Sequence, residues 1–148
     1  MTMSSQGKQY EYLEHTADIK FMAYGKSLEE VFENSALAMF NVMIDTEQVS
    51  GETRKEIFLK APDLESLLVD WLSELLYIFE VDEIVFREFK VEKIKEEAGE
   101  YSIIAQAVGE EYYPESHPFK TEIKAVTYNQ LEITKTDDGW KAQVVVDI

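Results

Sequence analysis

The chain has 148 residues, a net charge of −16 and no cysteine. Its length suits a single domain with a sizeable core, and 45% hydrophobic residues place it among globular chains. The charge argues against a grip on nucleic acid or an anionic membrane, and the lack of thiols excludes a disulfide framework and a Cys-based metal site.

Met1 to Lys8 is polar and lacks the apolar stretch of a signal peptide, so residues 1–8 read as a flexible N-terminal segment or a vector-derived remnant. Residues 9–148 read as one domain. Ile19 to Tyr24 is strand-like and Gly25 ends it. Ser27 opens a helix, with Glu30 three residues on as the second half of a capping box. Leu28, Val31, Phe32, Ser35, Met39, Val42 and Met43 give that helix a buried stripe. Ser50-Gly51 marks a turn, and Thr53 to Ala61 alternates as a strand. Pro62-Asp63 begins a second helix, with Asp63 as N-cap. Its apolar residues Leu64, Leu67, Leu68, Trp71, Leu75, Ile78 and Phe79 cover a wide face, as expected of a central core helix. Asp70, Glu74 and Glu80 read as a solvated or edge stripe, and they argue against a membrane span in the most apolar window, Leu64 to Val81. The expected location is cytoplasmic.

The remainder reads as β. Ile84 to Glu96 and Tyr101 to Val108 form a hairpin turned at Ala98-Gly99-Glu100. Gly109 to Phe119 is a loop, in which His117 sits between two prolines as a surface residue. Glu122 to Tyr128 and Leu131 to Thr134 are strands. Asp137-Asp138-Gly139 turns into the last strand, Trp140 to Asp147. The expected class is α+β: two helices packed on one face of a mostly antiparallel sheet.

The chemistry-bearing signals are few. There is no glycine-rich phosphate loop, no Cys nucleophile, and no motif around His15 or His117 that would build a Ser-His-Asp site. Val144-Val145-Val146 runs into Asp147 and then Ile148, so a carboxylate side chain stands one residue from the terminal carboxylate. Charges that close are unfavourable without a cation between them. A further acid, Asp18, lies in His15-Thr16-Ala17-Asp18-Ile19 at the start of a strand. Taken alone, Thr16 and Asp18 make a turn by bonding their own backbone, and Asp147 is a solvated terminal acid. If the two strands are neighbours, Asp18, Asp147 and the Ile148 carboxylate form an all-oxygen site for a hard cation, with Lys124 and His15 nearby. Such ligands accept calcium, magnesium or manganese.

Three separated motifs resemble the archease family: Tyr12-Leu13-Glu14-His15-Thr16-Ala17-Asp18-Ile19, then Lys124-Ala125-Val126-Thr127-Tyr128, then Val146-Asp147-Ile148. The resemblance runs from about Gln9 to the last residue. It departs at Asn129, where many family members have His, so a titrating or metal-binding role does not carry over there. The resemblance implies a strand-helix-strand-strand module carrying an inserted α/β segment. It also implies an activating cofactor for the GTP- and manganese-dependent tRNA-splicing ligase, which joins 3′-phosphate and 5′-hydroxyl RNA ends through a guanylylated histidine. On that reading the chain has no catalytic residue of its own. The family's divalent-cation site maps onto Asp18, Asp147 and Ile148, and Lys124 matches a position linked to activity. The ligase is the expected partner, with neither membrane nor direct RNA binding expected. Two alternatives stand beside this reading: an acidic binding module or small chaperone, in which Asp18 and Asp147 matter no more than Glu96 and Glu97, and a stand-alone metal-dependent phosphohydrolase.

Overall fold

The structure, a computed structural model, describes residues 7–14 and 17–148. Strand β1 spans Tyr10–Leu13 and β2 spans Asp18–Gly25. Helix α1 runs Leu28–Met43, followed by a short 3-10 turn at Thr46–Gln48. Then come β3 (Thr53–Ala61), α2 (Leu64–Asp82), β4 (Ile84–Glu97) and β5 (Glu100–Glu111). The chain closes with β6 (Ala125–Val126), β7 (Glu132–Thr136) and β8 (Gly139–Asp147). The expected α+β class holds, and all the strand pairs are antiparallel.

The expected single sheet is two. In one, β1, β2 and β8 lie side by side, and β6 and β7 share the far edge of β8. The other has the order β3-β5-β4 and comes from the segment inserted between α1 and β6. The β4–β5 hairpin turns at Ala98 and Gly99, whose φ values of 55° and 77° both lie in the left-handed region that a two-residue hairpin of matching twist requires. Some expected boundaries shift. The strand expected over Glu122 to Tyr128 shrinks to Ala125–Val126, because Ile123 is buried while Lys124 and Ala125 are both turned to solvent, which breaks the alternation. The loop expected from Gly109 begins at Tyr112, since β5 continues to Glu111.

Helix α1 holds the two sheets together. Ser27 accepts the Glu30 amide at 3.2 Å, as its capping role requires, but the Glu30 carboxylate reaches back one residue further than expected, to the Lys26 amide at 2.6 Å. Asp63 caps α2 by accepting the Ser66 amide at 2.7 Å. Trp71 on α2 is fully buried and donates to the Phe32 carbonyl of α1 at 2.9 Å, which ties the helices across the core. Phe40 packs edge-on to Phe86 at 5.6 Å and lies 5.5 Å from Phe89, so one α1 side chain grips the inner face of β4. At the β4 edge, Glu33 accepts the Val91 amide at 2.8 Å and Glu29 accepts the Ile94 amide at 3.0 Å. These bonds flank a register shift between Val91 and Lys93 and cover backbone groups that an open edge would leave unpaired. Burial raises the Glu33 carboxyl above its ordinary 4.5, against the lowering effect of the Val91 amide.

His117 is not the surface residue expected from its proline-flanked loop. It is 1% exposed and stacked between Tyr112 and Tyr113, with ring centroids 5.9 and 6.5 Å away. Its Nδ1 accepts the Tyr113 amide at 3.0 Å, so its proton sits on Nε2, 2.8 Å from the Glu110 carboxylate. Glu110 also accepts the Ser50 amide at 2.8 Å. A loop folded back over its own strand gave no periodic signal, so the burial of this imidazole was not visible in the sequence.

Two predictions test this frame. Phe40→Ala should cost about 3–5 kcal/mol in denaturant unfolding, because it empties a fully buried aromatic position. The Ser50 amide first, and His117 second, hold the Glu110 carboxyl below its ordinary 4.5. A lowered carboxyl contributes stability above its unfolded value and loses it as the pH falls through the folded one. Glu110→Gln should therefore unfold more easily than the parent by about 1 kcal/mol near neutral pH, with the gap closing as the pH falls below the ordinary 4.5, when both are followed by urea titration.

Candidate functional site

β2 and β8 pair without interruption from Gly25↔Trp140 to Asp18↔Asp147. Eight consecutive pairs end on two carboxylates placed directly opposite each other. Facing residues of an antiparallel pair project to the same side, with Cβ atoms about 4.5–5.5 Å apart. The next pair inward, Ile19↔Val146, faces the core, so Asp18 and Asp147 stand on the outer face of the sheet. Asp147 is exposed and Asp18 half-buried. Ala17, at φ 68°, turns the chain into β2 immediately before Asp18.

Ile148, the third expected ligand, lies one residue past Asp147, at the same end of the sheet. Lys124 enters from the other edge of β8. Its amide donates to the Asp147 carbonyl at 2.7 Å, and Ala125 is the register partner of Asp147. Lys124 is thus anchored by its backbone next to the acid pair, with its side chain exposed. Among the described residues no ion pair joins Lys124 Nζ to Asp147. His15 lies outside the described residues. Asn129 is exposed, and its amide donates to Thr127 Oγ1 at 3.2 Å.

Residues that the motifs did not single out also belong here. Lys20 follows Asp18 on the same face of β2 and donates to Gln130 Oε1 at 3.1 Å, while Gln143 Nε2 donates to the Gln130 carbonyl at 2.8 Å. Val145, the cross-strand partner of Lys20, is buried although it lies on the outer face. Asp18 also lines a hollow of about 330 Å³ on the α1 side, with Tyr12, Asn41, Lys120 and Thr121 among its other walls. The Lys120 amide donates to the Met43 carbonyl at 2.7 Å, which fixes the backbone of this third lysine at the end of α1. Lys120 is about a hundred residues from Asp18 in sequence, and only the docking of its loop on α1 brings them together.

The donor set suits a hard divalent cation. Two carboxylates are fixed across a strand pair, a third anionic group lies one residue on, and there is no sulfur or described imidazole ligand. Among the described residues no three Asp, Glu, His or Cys side chains gather into a metal-binding group.

Residues 10–148 match the model of the archease protein family. The chain belongs to that family. It is 81% identical over 146 residues to the protein archease of Methanosarcina barkeri, covering 99% of this chain and all of that one. Its fold matches the solution structure of a Methanobacterium thermoautotrophicum protein at a TM-score of 0.84 and 44% identity, covering 95% of this chain and 99% of that one. A crystal structure from Thermotoga maritima, described as an archease and possible chaperone, shares the fold at a TM-score of 0.54 and 24% identity, over 93% of this chain and 96% of that one. The family match spans the two acid-bearing motifs and the Lys124 segment. No helix among the described residues is long and apolar enough to cross a membrane.

Like charges directly opposite each other weaken a strand pair. Asp147→Asn should therefore raise stability by about 0.5 kcal/mol in the presence of a chelator. Added calcium should shrink or reverse that gain in thermal melts, because the parent alone keeps both side-chain carboxylates.

Proposed function

We propose that the chain is an activating protein of the GTP-dependent tRNA-splicing ligase in the cytoplasm, lending its carboxylate site to the ligase's guanylylation step rather than turning over a substrate itself. What supports this reading is the β2–β8 register that sets Asp18 against Asp147, with Lys124 anchored to the Asp147 carbonyl. These are the positions that carry the archease motifs in this sequence.

Each residue has a physical task on this reading. Asp18, Asp147 and the Ile148 carboxylate hold a divalent cation: calcium, magnesium or manganese. The ion supplies concentrated positive charge at a phosphate oxygen. Lys124, exposed on the edge strand beside the acids, contacts a phosphate oxygen by a charge-assisted hydrogen bond. The chain's charge of −16 speeds its encounter with a basic nucleotide- and RNA-binding mouth on the ligase. The site lies at one end of the β2–β8 ladder with Asp147 exposed, so it can be presented into another protein's cleft without unfolding anything.

A second reading keeps the charge and discards the site: an acidic binding module or small chaperone. The observation favouring it is that the described residues alone build no three-side-chain metal group. The two readings separate in one experiment. Single-turnover formation of the guanylylated ligase should be accelerated by the wild-type chain, and Asp18→Ala should lose most of that acceleration, by about tenfold or more, which is at least 1.4 kcal/mol. Full stimulation by Asp18→Ala, with the Glu96→Gln/Glu97→Gln variant behaving no differently, favours the binding module. An extension after Ile148 removes the free carboxylate next to Asp147. It should weaken calcium affinity in titration calorimetry by about tenfold while leaving the far-ultraviolet circular dichroism spectrum unchanged.

A further inference from the structure

The inserted sheet treats its two edges differently. The β4 edge is covered, since Glu33 and Glu29 of α1 accept the Val91 and Ile94 amides. The β3 edge is open. β3 is nine residues long and pairs only with β5. Among the described residues no loop or side chain bonds its backbone from the other side. Helix α2 does not shield it either. The β3-α2-β4 connection is a crossover with β5 between its two strands, so the helix sits over the middle of the sheet. An edge is commonly blunted by shortness, a bulge, a proline or charge. β3 is long, its register with β5 is unbroken and it contains no proline, which leaves charge alone.

Arg54, Glu56, Phe58 and Lys60 alternate along the outer face of β3 and are all exposed, while Ile57 and Leu59 face the helices. Phe58 is 59% exposed and its cross-strand partner Ile104 38%. A glutamate and a lysine flanking a phenylalanine at equal spacing do not repel a second copy of themselves. Two β3 strands paired antiparallel about a two-fold at Phe58 set Glu56 against the partner's Lys60, and Lys60 against the partner's Glu56. Phe58 then meets the partner's Phe58 on the outer face, and Ile57 meets the partner's Leu59 on the inner one. The nearby registers that also keep the faces matched lose this fit. A two-fold at Ile57 sets Arg54 against the partner's Lys60, one at Glu56 sets the two glutamates together, and one at Leu59 takes the lysine away from Glu56. The remaining charges of the outer face stand behind the joint on β4 and β5, apart from Arg54, which falls opposite the partner's Pro62 just past the paired stretch.

We propose that the β3 edge is a homodimer interface, in which two copies pair β3 to β3 about a two-fold at Phe58 and form one continuous sheet in the order β4-β5-β3-β3-β5-β4. The row across the joint then reads Ile104, Phe58, Phe58, Ile104, so the ring that a single chain holds in water gains an apolar neighbour on both sides. The occupant is a second copy rather than an unrelated extended segment because the charge order of β3 is complementary to its own reverse. Two bodies of −16 repel, which makes the pairing weak and dependent on salt. At about 0.15 M the screening length is about 8 Å, short enough to damp the repulsion between the bodies while the facing pairs at the joint still act. The edge belongs to the inserted sheet and not to the sheet of the Asp18–Asp147 pair, so the inference stands apart from the ligase reading.

Sedimentation velocity of the full chain, from about 5 to about 500 µM at about 0.15 M salt, tests it. The weight-average mass should climb with concentration from the monomer's 17.1 kDa towards twice that value. Glu56→Lys and Lys60→Glu, each on an exposed side chain, should each weaken association about tenfold, because two facing pairs turn from attraction to repulsion. The double variant Glu56→Lys/Lys60→Glu restores the facing pairs and should recover the parent's dissociation constant to within about threefold. Net charge does not produce this pattern, since Glu56→Lys reduces the repulsion between the bodies and the double variant keeps −16. The chain has no cysteine, so mixing Glu56→Cys with Lys60→Cys under a mild oxidant reads the register, and the mixed disulfide should form ahead of either homodisulfide. The proposal is overturned if the mass stays at 17.1 kDa at the highest concentration, or if Glu56→Lys associates as tightly as the parent. It is equally overturned if the double variant keeps the parent's circular dichroism spectrum without recovering association, or if a homodisulfide leads.

Discussion

The β2–β8 ladder is the constraint on which the candidate site depends. Eight paired residues in unbroken antiparallel register leave no freedom in which residue ends up opposite Asp18. A slip by one residue would send Phe21, Ala23, Val144 and Val146 to solvent and bring Lys20 and Lys141 into the core. The apolar alternation of the two strands therefore secures the register along their length, and the register places the two carboxylates at its end. A repulsive pair of charges is held together by hydrophobic burial several residues away.

The same burial depends on α1. That helix presents buried residues to both sheets, with Phe21 and Ala23 of β2 and Phe86 and Phe89 of β4 in one continuous core. Its acidic residues have separate tasks. Glu30 closes the N-terminal cap, while Glu29 and Glu33 reach across to the edge amides of β4. Some of the chain's negative charge is thus structural rather than spread for solubility. Glu33 stays hydrogen-bonded although burial opposes its ionisation.

Much of this was legible in the residues. Both helices were marked by their N-caps and apolar spacing, and Ser27 and Asp63 cap them. The alternating runs over Thr53 to Ala61 and Ile84 to Glu96, with the Ala98-Gly99-Glu100 turn, announced their strands and hairpin because period-two burial and left-handed turn residues are local properties. The division into two sheets was not announced. Each strand looks the same whichever neighbour it takes, and the partner is selected by how α1 docks. His117 escaped for a related reason: its ring is buried by its own loop folding back onto Glu110, and a proline-flanked histidine carries no sign of that.

The sequence by itself determined the α+β class, the caps, the position of the three motifs and the presence of two acids at strand ends. These follow from local periodicity, turn chemistry and residue type. Tertiary structure alone decided that Asp18 and Asp147 face each other, that Lys124 is anchored beside them and that Lys120 joins the neighbouring hollow. The reason is separation along the chain. Residues more than a hundred positions apart meet only when strand pairing and helix docking have resolved which of many similar strands lie together, and that choice is made by the whole core at once.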